Sequence, residues 1–241
     1  IFTQMVQFLD KAVSSPNKFL ILKFLIQMGK INQGILGGVS GKVGNVIGGN
    51  WKGIDYIRVK PSNVANPRTA GQVMQRTKFT VTLEFLQAVK PFVKAGYRNL
   101  ANKKTEFNAA MSYILNNAIT GVDPDFIVDY TLALLSRGGL SMPLNPTADA
   151  STSGEVTFTW GDNSAESNAN ATDKIMLLAY NPVKRESVSI VGDGATRVDG
   201  SFTVPIPTTY AGDTLELFIA FMSADGTQLS NSTYLGSQIA G

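Results

Sequence analysis

The chain has 241 residues, 44% of them hydrophobic and 16% charged, which is enough to bury a core without a metal or a disulfide. It contains neither cysteine nor histidine, so disulfide frameworks, zinc sites, thiol nucleophiles and histidine bases are excluded, and metal binding is left only to all-oxygen sites suited to calcium or magnesium. The net charge of +3 conceals two opposite halves: residues 1–110 carry 16 Lys and Arg against four acids, and residues 111–241 carry five against 14, or +12 and −9.

Residues 1–28 differ in character from the rest of the chain. Phe19–Ile26 is an apolar run of eight residues interrupted by Lys23, too short to cross a membrane, and no small-residue cleavage site follows it. No integral membrane span is therefore expected. Met28-Gly29-Lys30 reads as a natural start, with the 27 residues before it an upstream extension or an arm. Residues 29–60 then hold nine of the 23 glycines. Glycine costs roughly 1 kcal/mol inside a helix relative to alanine, so residues 29–41 read as extended loop or close backbone contact. Residues 42–50 and 54–60 read as a β-hairpin in which Ile54, Tyr56 and Arg58 alternate with Asp55, Ile57 and Val59.

Asn66-Pro67-Arg68-Thr69 supplies turn and cap chemistry for a long helix, with Thr69 or Asn66 as the cap. Its expected apolar face runs from Phe79 through Leu83, Leu86, Val93 and Tyr97 to Leu100, and Pro91 kinks or divides it. A second helix is expected over residues 105–119 and a strand over 126–136. Residues 144–154 read as a polar linker. Beyond it, strand-length runs at 155–160, 174–181, 187–191, 201–207, 214–223 and 229–236 are separated by turn signals such as Asp193-Gly194 and Asp225-Gly226. This pattern, with Trp160 in a strand, predicts an antiparallel β-sandwich of immunoglobulin or fibronectin type III kind, and the absence of a cysteine pair favours the fibronectin comparison. The fold class is α+β, with a basic domain over 29–143 and an acidic sandwich over 155–241.

The chemistry-bearing motifs are mostly negative. Gly41-Lys42 has Leu36 where a phosphate loop needs glycine, and Gly38, Gly41 and Gly44 are spaced unlike a dinucleotide fingerprint. Asp123, Asp125 and Asp129 lack the order and closing glutamate of a calcium loop and read as a turn between helix and strand. No spacing singles out a catalytic set, so no catalytic residue, metal site or cofactor is assigned. What stands out is a basic and aromatic group: Lys42, Trp51, Lys52, Tyr56, Arg58, Lys60, Arg68 and Arg76. Such a group can hold phosphates and stack bases, or meet an acidic protein surface. Its bland alternative is a set of solvated charges beside a hairpin.

Met28-Gly29-Lys30 with GILGGVSGKVGNVIGGNWKG, then NPRTAGQVMQRTKF, SRGGL, VTFTW and ATDKIMLLAYNP, resembles a family of uncharacterised Bacteroidota proteins, a domain of unknown function. The resemblance runs from Met28 to the C-terminus and implies no activity. Over about 40 residues the Asn-Pro-Arg-Thr segment also resembles phage-associated proteins that join a basic module to β-sandwiches. These readings together predict a non-enzymatic structural or assembly protein, phage- or surface-associated, that self-associates through its basic and acidic halves. Nucleic-acid binding by the hairpin is the first alternative, and an adhesion or carbohydrate-binding module, argued from fold alone, is the second.

Overall fold

A computed structural model describes residues 30–31, 38–62, 68–166 and 168–241. It divides into two compact units, Ile1–Pro67 and Arg68–Gly241. The expected extension over residues 1–28, and the candidate cap Asn66, lie outside the described residues.

The described residues of the first unit form an antiparallel sheet in the order β1 (Lys30–Ile31), β2 (Val39–Val43), β3 (Val46–Trp51), β4 (Ile54–Val59). The stretch 42–50 is divided rather than continuous, because Gly44, at φ 58°, turns the chain between Val43 and Val46, which face each other across the ladder. The β3–β4 turn is the two-residue kind in which both central residues need positive φ. Lys52 at 48° and Gly53 at 82° supply them, and the Gly53 amide donates to Asn50 Oδ1 at 3.1 Å.

The second unit opens with α1 (Ala70–Ala88), α2 (Lys90–Gly96) and α3 (Glu106–Asn117). Thr69 occupies the cap position of α1 in extended conformation but makes no side-chain cap bond, whereas Thr105 caps α3 by accepting from the Asn108 amide at 3.1 Å. Pro91 divides the long helix instead of kinking it, since it stands in the first turn of α2, where a missing amide proton costs nothing. The expected apolar stripe holds from Leu83 onward. Phe79 and Leu100 are exposed, and the first seven residues of α1 are exposed on every side.

Beyond α3, the chain makes the hairpin β5 (Ile119–Val122) and β6 (Asp125–Val128). Asp123-Pro124-Asp125 is thus the tip of a hairpin and not a helix-to-strand connector. The strand expected to reach residue 136 stops at Val128 because Asp129 turns the chain, its Oδ1 accepting from the Thr131 amide at 2.9 Å. The supposed linker 144–154 begins with β7 (Leu144–Asp149). There follow β8 (Glu155–Gly161), β9 (Lys174–Asn181), β10 (Glu186–Thr196), β11 (Ser201–Pro205), β12 (Thr214–Met222) and β13 (Thr233–Ile239). They form an antiparallel four-stranded sheet, β10-β9-β12-β13, and a three-stranded one, β11-β8-β7.

Alternation along β9 and β12 places the core on both faces of the larger sheet. Ile175, Leu177, Ala179, Leu217, Ile219 and Phe221 share one apolar cluster with Val156, Phe158 and Trp160 of the smaller sheet. Met176, Leu178, Tyr180, Phe218, Ala220 and Met222 share another with Phe85, Leu86, Phe92, Val93 and Ile114 of the helices. The helices and the two sheets are therefore three layers of one unit, and the compact boundary falls at residue 67, not near 150.

The irregular segment after β6 is fastened to the β12–β13 connection by hydrogen bonds between residues far apart in sequence. The Leu135 amide donates to Ser232 Oγ at 2.9 Å, Ser136 Oγ to the Ser230 carbonyl at 2.7 Å, and the Leu140 amide to the Leu229 carbonyl at 3.0 Å. In the same connection Asp225 accepts from Ser223 Oγ at 2.6 Å and from the Thr227 amide and hydroxyl at 3.0 and 2.8 Å. These bonds, Ser223 first, hold its carboxyl at about 2, below the ordinary 3.8. The folded value is the lower one, so the stabilisation is complete above about pH 4 and lost as pH falls through about 2. A carboxyl titration followed by NMR is expected to give a midpoint near 2; a midpoint near 3.8 would show that the turn does not persist in solution.

Candidate interaction surface

The register of the first unit decides which of the basic and aromatic residues stand together. Lys42 faces Ile47, Ile47 faces Arg58, Gly49 faces Tyr56 and Trp51 faces Ile54. Directly opposed residues of an antiparallel pair point to the same side, so Lys42, Arg58, Tyr56 and Trp51 share one face with Ile47 and Ile54. Lys60 continues the alternation, its amide bonded to the Asn45 carbonyl at 2.7 Å. Lys52 sits in the turn with its Nζ 5.5 Å from the centre of the Trp51 ring, within cation–π range. Val43, Val46, Ile57 and Val59 lie on the other face, where Asp55 accepts from Asn50 Nδ2 at 2.6 Å.

Two glycines make this arrangement fit. A Cβ on Gly48 would lie 2.0 Å from the Val39 carbonyl oxygen, so only glycine admits that close approach of β2. A Cβ on Gly49 would lie 2.9 Å from Tyr56 Oη, which shows the tyrosine ring lying across its cross-strand partner.

The sheet presents this chemistry to solvent. Every residue of β4 is exposed, Ile57 to 64% and Val59 to 72%, and Trp51 and Tyr56 are half exposed. The basic face offers cations for carboxylates or phosphates and rings for stacking or apolar contact. Arg68 and Arg76 belong to the second unit: Arg68 precedes the α1 cap, and Arg76 is exposed in α1, beside Gln72, Gln75, Phe79 and Thr80 in a shallow groove. The unit boundary also redistributes charge. Residues 1–67 carry eight Lys and Arg against two acids, and residues 68–241 carry 13 against 16, so the units stand at +6 and −3.

Reading the sequence missed a second exposed apolar surface. On the β5–β6 hairpin, Val122 and Ile127 are 77% and 63% exposed while Phe126 and Val128 are buried. The signal was present in the apolar residues flanking Val122-Asp123-Pro124-Asp125.

Antiparallel sheets with three helices among the described residues make this a β-rich α+β protein. The chain belongs to a family of unknown function, DUF6266, whose model matches residues 38–236. No curated protein matches it. Among solved structures it is similar to the fn3 domain of the human collagen alpha-1(XX) chain, with a TM-score of 0.31 and 15% sequence identity over 43% of this chain and 87% of that one. No helix among the described residues is long and apolar enough to cross a membrane.

Proposed function

We propose that the chain is a non-enzymatic structural or assembly protein that self-associates through its basic N-terminal part and its acidic C-terminal part. The observation that carries this reading is the β2–β4 sheet, in which only Gly48 is buried and apolar, aromatic and cationic side chains are displayed on exposed strands. Exposed apolar patches of this kind mark interaction surfaces. The second unit serves as the rigid body of the subunit, its two packed sheets read as a fibronectin-like sandwich. A phage-associated setting is supported only by the likeness of the Asn-Pro-Arg-Thr segment, and a surface-associated one only by analogy with the sandwich fold.

Light scattering of the full chain tests the reading. Large species are expected at low ionic strength and should shrink with added salt, because the screening length falls from about 30 Å at 0.01 M to about 3 Å at 1 M. A monomer at every salt concentration would overturn the proposal.

A second reading, single-stranded nucleic acid on the same face, is favoured by the alignment of Lys42 and Arg58 beside Tyr56 and Trp51. Trp160 is buried, so quenching of tryptophan emission by a short DNA strand would report on Trp51. The quenching is expected to weaken steeply with salt; unchanged emission at low salt would remove this reading.

A further inference from the structure

Self-association between a basic and an acidic part needs an acidic surface with apolar contacts of its own, and the β5–β6 hairpin has both. Val122 faces Asp125 and Thr120 faces Ile127 across its ladder, so these four side chains share a face. That face is exposed, while Phe126 and Val128 point the other way and are buried. Phe126 lies under Lys78 of α1, with Nζ 4.8 Å from the ring centre. The hairpin is thereby held to the helix layer with Val122 and Ile127 projecting, and Asp123 and Asp125 at its tip are exposed. No ion pair neutralises either aspartate among the described residues.

The basic face of the β2–β4 sheet is its counterpart. It carries Lys42 and Arg58 across the strands and, along them, Tyr56, Trp51 and Ile54, with no carboxylate among these positions. One surface is acidic with aliphatic side chains, the other basic with aromatic ones. Opposite charges select the pairing, and the apolar groups give it something to bury.

We infer that the β5–β6 hairpin of one copy docks on the Lys42–Arg58 face of a second copy. The inference rests on the self-association reading and names the two surfaces that meet. The contact uses different patches on the two partners, so it is head-to-tail and propagates into a ring or an open filament.

Reciprocal charge exchange in the full chain tests this. One variant carries Lys42→Glu and Arg58→Glu, the other Asp123→Lys and Asp125→Lys. At low ionic strength the wild type is expected to form large species by light scattering, and each variant alone to lose association at least tenfold. An equimolar mixture should regain it, because each variant then meets an opposite charge at both of its surfaces. Thermal midpoints are compared first, and Asp125→Lys alone, which leaves Asp123-Pro124 intact, replaces the double change if that change lowers the midpoint. If the wild type assembles but either folded variant assembles equally well, or the mixture stays monomeric, this contact is wrong while self-association stands. A wild type that is monomeric at all salt concentrations overturns both. A wild type that gains mass only with DNA, and loses this gain on Arg58→Glu, assigns the face to nucleic acid instead.

Discussion

Replacing Arg197 by methionine is expected to destabilise the second unit by about 3–5 kcal/mol, the usual effect of removing one partner of a buried ion pair. Arg197 is fully buried. Its Nε donates to Asp173 Oδ2 at 3.1 Å, its Nη2 lies 3.1 Å from the same oxygen in an ion pair and donates to the Ser141 carbonyl at 3.0 Å, and its Nη1 donates to Asn163 Oδ1. The guanidinium stacks on Phe221, with Cζ 3.9 Å from the ring centre, and the Arg197 carbonyl accepts from Trp160 Nε1 at 2.8 Å. Methionine would fill much of the volume but leave the Asp173 carboxylate without a cation, and its Oδ1 already has no hydrogen-bond partner. Changing Asp173 to leucine in the same chain should recover part of the loss, because the stranded charge goes with it. Urea unfolding measures both variants. A cost below about 1 kcal/mol for Arg197→Met would mean that this network is not what holds the residue 141 and 163 connections against the sheets.

The second large effect concerns two consecutive residues. Leu177→Ala and Leu178→Ala should each cost about 2–5 kcal/mol, the range for emptying a packed leucine site. Leu177 lies in the cluster between the two sheets and Leu178 in the cluster beneath the helices, and both are fully buried. A sheet with one wet face would give one large value and one within about 0.5 kcal/mol of zero. Thermal or urea denaturation of the two variants distinguishes the cases, and a small effect at Leu178 would refute the packing of the helices on the sheet.

That two-sided burial was legible in the chain. Lys174–Asn181 (KIMLLAYN) and Thr214–Met222 (TLELFIAFM) are near-continuous apolar runs, the mark of strands covered on both faces. Reading them only as strands put the helices in a separate domain. Strand β7 was harder to see, because Asn145-Pro146 looks like a linker. It survives in the sheet because it is an edge strand, and because Asn145, at φ 44°, lies within an irregularity of register where a proline is tolerated. On the candidate surface, alternation alone placed Tyr56 and Arg58 together, whereas the inclusion of Lys42 required the turn at Gly44 that sets the register. Arg68 and Arg76 joined the group through nearness in sequence, which carries no information across a unit boundary.

The long-range stitching has a consequence for synthesis. The helices of residues 70–117 leave the ribosome well before β9 and β12, the strands that cover their apolar faces, and the serines at 230 and 232 that fasten residues 135 and 136 come later still. Closing contacts over more than ninety residues is slow compared with forming a helix. The nascent chain therefore carries a helical layer without its covering strands until β9 and β12 have emerged, an interval in which its apolar faces are open to aggregation.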